Sequence, residues 1–203
     1  KKIITISEEV GMNLKEHLCF SDSPFFRIQN GVNIKNFSNA KAYNCCDFFS
    51  AEAKVLIQVS SFTNQKDQAT LIKSLKELPE HIKLLLVGEG ELKPECEKLV
   101  KSLQLVDRVQ FLGIRMDVPR LLKTADVVIL SSHHEGLSLS SIEGMAAGKP
   151  FIASDVPGLT EVAKGAGLLF PKGDSKALAA HINNLINDTI YNNEIALKCL
   201  ERS

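Results

Sequence analysis

From Lys54 to Leu200 the chain alternates between short apolar runs and stretches of helical periodicity. No other feature constrains the fold as much. Residues 54–60, 82–87, 108–112, 126–130, 150–153 and 167–170 read as strands. Residues 67–78, 91–103, 118–124, 139–147 and 159–164 read as helices, and 174–200 as one or two more. Val127-Val-Ile-Leu130 and Lys83-Leu-Leu-Leu-Val87 are continuous apolar runs with no polar side. Strands apolar on both faces belong to a parallel sheet with helices on each side. Six of them joined by crossover helices make an α/β fold, a doubly wound, Rossmann-like parallel sheet. Ligands bind such sheets at the carboxyl ends of the strands, so the loops after residues 60, 88, 113 and 132 carry the search for a site.

The chain before this pattern reads differently. Residues 1–38 form a first unit: a strand at Ile3–Ile6, a helix over about 8–19, and a strand at Phe25–Gln29 closed by an Asn30-Gly31 turn. Residues 39–53 are polar and irregular and read as a linker to the domain over 54–203. The 24 basic and 24 acidic residues cancel, and no basic stripe occurs, so nucleic acid is not an expected partner. The five cysteines are odd in number and form no Cys-x-x-Cys. That pattern points to neither a disulfide framework nor a zinc site, and suits a reducing cytoplasm. No apolar run approaches the ~20 residues that span a bilayer, and the opening segment meets Glu8-Glu9 too soon for a signal peptide. The expected location is cytoplasmic; docking of a full-length protein at the inner face of a membrane is compatible with it.

The loop after the fourth strand of the domain is the richest in chemistry. Ser131 to Glu143 holds two carboxylates, Glu135 and Glu143, with seven residues between them and a helix starting near Leu139. Gly136 lets a backbone approach a ligand closely. The free amides of a helix start hold a diphosphate, and carboxylates accept hydrogen bonds from paired sugar hydroxyls. Ser140-x-x-Glu143 also matches a capping box, and spacing by itself favours that purely structural role for Glu143. His133-His134 has poor ligand spacing, so no metal site is expected; one imidazole facing inward would hydrogen-bond a ligand. Lys66 follows a strand-end loop at the start of a helix, where a cation and free amides make a phosphate clamp; the alternative is a surface lysine. Gly88-Glu-Gly90 lacks the third glycine of a dinucleotide fingerprint and reads as a tight turn beside the cleft.

Together these pieces resemble a known family. Glu135-Gly136 through Glu143-Gly-Met-Ala-Ala-Gly-Lys-Pro150, then Ile152-Ala-Ser-Asp-Val-Pro-Gly158, is similar to the signature of family 4 retaining glycosyltransferases. Ala166-Gly-Leu-Leu-Phe170, Leu85-Leu-Val-Gly-Glu-Gly-Glu-Leu92 and Phe111-Leu-Gly113 continue the likeness, and Asn30-Gly31-Val32 with Phe37 resembles the hinge that ends the family's N-terminal domain. The resemblance implies the C-terminal half of a GT-B fold that takes a nucleotide-diphosphate sugar as donor and needs no metal. It implies that Glu143 holds the ribose hydroxyls, that Glu135 contacts the donor sugar, and that the backbone of Gly136, Leu137 and Ser138 binds diphosphate or sugar. Lys66 would neutralise the leaving diphosphate, the base would lie near Gly113 and Ile114, and His134 would face the donor. The acceptor would be a saccharide or a lipid-linked carrier.

Two departures stand out. The family usually places an arginine five residues before this lysine, where Ser61 stands here. Losing one charge-assisted contact to a diphosphate costs about 1.5–3 kcal/mol, unless Arg115 or another cation substitutes. The acceptor-holding N-terminal domain is also represented only by residues 1–38. Three readings follow: a retaining glycosyltransferase whose isolated fragment is weak or inactive, a nucleotide-sugar-binding module without catalysis, and a different enzyme such as an epimerase on the same scaffold.

Overall fold

A computed structural model describes residues 3–5, 12, 25–28 and 31–203. The predicted helix over 8–19, residue 12 apart, lies outside the described residues, as do residues 6 and 29 of the predicted strands and residue 30 of the predicted turn. Ile3–Thr5 (β1) pairs in parallel with Phe25–Arg27 (β2), Ile4 beside Phe26. Ile34–Ser38 (α1) follows and buries Phe37 in the core of the domain.

The domain is built on six parallel strands: Lys54–Val59 (β3), Ile82–Val87 (β4), Val109–Gly113 (β5), Val127–Leu130 (β6), Phe151–Ser154 (β7) and Leu168–Phe170 (β8). Their order across the sheet is β5-β4-β3-β6-β7-β8. The chain therefore builds outward from β3 in one direction, returns, and builds outward from β6 in the other. Helices Gln68–Ser74 (α2) and Lys93–Ser102 (α3) pack against each other, and Val118–Thr124 (α4) leads back to β6. Leu139–Ala146 (α5) and Pro157–Ala163 (α6) pack together after the return. Ser175–Asn187 (α7) lies against α2, and Thr189–Arg202 (α8) against α5. The strands are buried because both faces are covered: Leu56, Ile57, Leu84, Leu85, Ile129 and Ile152 are all fully enclosed.

Over residues 54–203 the predicted elements are present, with ends shifted by a few residues. The largest change is in the helix expected over 67–78, which ends at Ser74 and tightens into a 3-10 turn over Leu75–Glu77. Capping explains where helices begin. Asp67 caps α2 through Thr70 N (3.1 Å), Asp174 caps α7 through Lys176 N and Ala177 N, and Asp188 caps α8 through Tyr191 N.

Residues 39–53 are held on the domain by specific bonds. Asn44 and Asp47 form a reciprocal cap of a 3-10 turn over Cys45–Asp47. Tyr43 Oη donates to Asp117 Oδ2 (2.5 Å), its backbone amide donates to Thr124 Oγ1 (2.8 Å), and the Arg120 guanidinium lies 3.8 Å above its ring.

Candidate active site at the switch between strands

The strand order reverses between β3 and β6, and the loops that leave these two strands meet there. They are joined by backbone. Lys66 and Ser132 form an isolated antiparallel bridge, Asp67 N donates to Ser131 O (3.0 Å), and His133 N donates to Gln65 O (2.8 Å). A buried polar network lies beneath. Gln58 Oε1 accepts from Ser131 Oγ (2.7 Å), and Gln58 Nε2 donates to Ser60 Oγ (2.9 Å). Gln68 Nε2 donates to Ser60 Oγ (3.1 Å) and Ser61 O (2.9 Å). Gln58 is a polar side chain inside an apolar strand, and that is the signal by which sequence reasoning could have found this network.

The result is a close pair. Lys66 Nζ donates to Glu135 Oε1, which also accepts from Ser132 Oγ (2.8 Å). Ser132 is fully buried and is itself held by Ser154 Oγ, which accepts from its backbone amide (3.0 Å). The Lys66 and Glu135 side chains are 11% and 10% exposed, so Lys66 is not a surface lysine.

Glycines bring the surrounding loops this close. A Cβ at Gly158, in the first turn of α6, would collide with the carbonyl oxygens of Glu135 and Gly136. Gly88 and Gly90 adopt φ of 134° and 156°, and a Cβ at either would strike the backbone of Ser60 or Phe62. Gly88-Glu-Gly90 is thus where the chain after β4 runs against the chain after β3.

Glu143 lies in the second turn of α5, half-buried. The expected capping box does not form: Ser138 is the N-cap and Ser140 is already helical. A capping-box glutamate must sit three residues after the cap, and Glu143 sits five after it. Its carboxylate has no hydrogen-bond partner among the described residues, and burial raises its pKa above the ordinary glutamate value. Gly136 is exposed, Ser138 starts α5, and the Leu137 side chain is buried beside a cavity of about 270 Å³ lined also by Val32, Ile142 and Met145. Ser61 is exposed, with its hydroxyl 3.5 Å from Thr63 Oγ1. Gly113 closes β5, and Ile114 after it is 76% exposed. His134 is exposed, while His133 turns its Nε2 to 3.9 Å from Asp67 Oδ1. Arg115 is engaged elsewhere: Nε and Nη2 bind both oxygens of Asp117 (2.8 and 2.7 Å). No group of three metal-ligating side chains occurs among the described residues. No helix among them is long and apolar enough to cross a membrane.

A six-stranded sheet with cationic and anionic side chains at its switch point defines a doubly wound α/β protein, a class in which ligands bind at the carboxyl ends of the strands. The comparisons narrow this class. The family profile described as glycosyl transferases group 1 matches residues 48–198, and the chain belongs to that family. It is 36% identical over 140 residues to the lipopolysaccharide core biosynthesis glycosyltransferase LpsD of Rhizobium meliloti, covering 68% of this chain and 40% of that protein. It is 34% identical over 143 residues to N-acetyl-alpha-D-glucosaminyl L-malate synthase of Bacillus anthracis, covering 68% of this chain and 38% of that one. Among solved structures, HepE of Anabaena in complex with UDP and glucose superposes with a TM-score of 0.87 at 26% identity, over 98% of this chain and 57% of HepE. The chain thus spans less than half the length of these two curated relatives. Its six-stranded sheet and flanking helices are a fold found in GT-B glycosyltransferases.

Proposed function

We propose that this chain is the donor-binding half of a retaining glycosyltransferase, which moves a sugar from a nucleotide-diphosphate donor to a saccharide or lipid-linked acceptor. The observation that carries the reading is the enclosed Lys66–Glu135 pair at the β3–β6 switch point, with the half-buried Glu143 on the helix that follows the same loop. Each group suits one part of a nucleotide sugar. Lys66, beside the start of α2, neutralises charge on the departing diphosphate. Glu135 accepts hydrogen bonds from sugar hydroxyls with Oε2, and Glu143 accepts those of a ribose. The backbone of Gly136 and Ser138 lines the diphosphate, with the base toward Gly113 and Ile114. Retention, the choice of acceptor and independence from metal rest on the family 4 signature over residues 135–158. A cytoplasmic site, with docking to a membrane-borne acceptor, belongs to the same reading; the buried thiols of Cys96 and Cys199, both raised to about 11 by burial, suit a reducing compartment.

A second reading, a nucleotide-sugar-binding module without catalysis, is favoured by one observation. Position 61 holds serine, and Arg115 is committed to Asp117, so neither replaces the missing arginine.

Calorimetric titration of the chain with UDP, GDP and ADP, with and without magnesium, tests the reading. UDP is the first choice because HepE binds it. Binding of one nucleotide without metal, lost in Glu143→Ala, supports the donor site. Absence of binding at millimolar concentration overturns it. Restoring Ser61→Arg in a full-length protein and assaying transfer separates enzyme from binding module.

A further inference from the structure

Glu135 presents an asymmetric carboxylate. Oε1 takes both Lys66 Nζ and Ser132 Oγ, whereas Oε2 has no partner among the described residues. Both members of the ion pair are about nine-tenths enclosed. Removing one member of an enclosed pair strands the other's charge. Arg115, beyond β5, is tied to Asp117, Lys93, beyond β4, is tied to Glu89, and Ser61 brings no charge. An incoming diphosphate therefore meets a lysine that is already paired.

We infer that Glu135 makes the site prefer a sugar-bearing nucleotide over the bare nucleoside diphosphate, by holding Lys66 until sugar hydroxyls take over its carboxylate. The inference rests on the donor-site reading above. A bare diphosphate that draws Lys66 away leaves Glu135 with Ser132 alone. A sugar donor supplies new hydroxyl donors to the same carboxylate as Lys66 turns to the phosphates. After transfer the sugar has gone, and Glu135 reclaims Lys66 as the nucleoside diphosphate leaves. The specificity is a difference between two affinities at one lysine.

The test is titration of the full chain with UDP and with UDP-glucose, replaced by the GDP or ADP pair if the nucleotide panel selects that base. Wild type, Glu135→Gln, Lys66→Met and the double variant are compared, with circular dichroism melts to verify folding. Lys66→Gln replaces Lys66→Met if the latter does not fold. Glu135→Gln is expected to bind the bare diphosphate about tenfold tighter, the scale of one charge-assisted contact, and to bind the sugar donor more weakly than wild type. In the Lys66→Met background the same change is expected to alter diphosphate affinity less than about twofold. Unchanged or weaker diphosphate binding by Glu135→Gln overturns the inference. So does tightening that persists without Lys66, which would be plain repulsion between anions. If wild type binds none of the nucleotides, the donor-site reading itself has failed, and the two failures are distinguishable.

Discussion

Gly158 lies directly beneath the Glu135 carbonyl, so close that no side-chain atom fits between them. In a helix interior alanine is favoured over glycine by about 1 kcal/mol. Here a Cβ meets backbone, which cannot swing aside as a side chain can. Overpacking typically costs about 1–3 kcal/mol, so the collision outweighs the helix preference. Gly158→Ala is expected to lower stability by about 1–2 kcal/mol in denaturant melts and to weaken nucleotide-sugar binding by displacing the 135–138 loop. A more stable variant with normal binding would show that the loop yields without cost.

Glu143 links pH to both stability and binding. Burial raises its pKa, so the folded state holds its proton more tightly than the unfolded state does. Stability therefore falls as pH rises from the ordinary glutamate value through the raised one. Glu143→Gln removes the burial penalty. Its melting temperature is expected to exceed wild type near neutral pH and to match it in acid, where wild-type Glu143 is protonated. Nucleotide affinity moves the opposite way and falls. Thermal scans across pH, paired with calorimetry, check both signs.

Tyr43 fastens the segment before the domain to α4. Its hydroxyl donates to Asp117, whose carboxyl is held well below the usual carboxylate range by hydrogen bonds first from Arg115 and then from Tyr43. A depressed pKa means that this contribution is present above the unfolded value and is lost as pH falls through the folded one. Tyr43→Phe keeps the ring under Arg120 and deletes one hydrogen bond to a charged group. The expected loss is about 1.5 kcal/mol near neutral pH, read by urea unfolding, and a smaller loss in strong acid.

Gln58 offers a contest between hydrophobicity and hydrogen bonding. It is buried in the apolar strand β3, where leucine is the natural occupant. Gln58→Leu, however, strands the Ser131 backbone amide, leaves the Ser131 hydroxyl with Asp67 O alone, and removes one of the two amides on Ser60. Each unsatisfied buried group costs about 1–3 kcal/mol, against roughly 1.5–3 kcal/mol for burying a leucine fully. We expect a net loss of about 1–2 kcal/mol, since the leucine also has to fit a cavity shaped for an amide. Hydrogen exchange at the Asp67 and His133 amides should quicken, because the network underlies the two joined loops.

The sequence by itself determined the fold class and the order of elements. Runs such as Val127–Leu130 are apolar on both faces and have no stable place except a covered parallel sheet, and Asp67, Asp174 and Asp188 mark helix starts by local chemistry. The 135–158 signature also pointed to a glycosyltransferase, and the comparisons place the chain among the glycosyl transferases of group 1. Only the tertiary structure decided which groups meet. Lys66 and Glu135 are 69 residues apart in the chain, and their pairing follows from β3 and β6 being neighbours at the switch point. Local spacing also favoured a capping box for Glu143; the helix instead starts at Ser138, where the chain leaving the β6 loop turns, and the glutamate is left without that partner. Tyr43 and Asp117, 74 residues apart, meet for the same reason. A side chain's partner depends on distance in space, which the strand order sets and the linear spacing of residues does not.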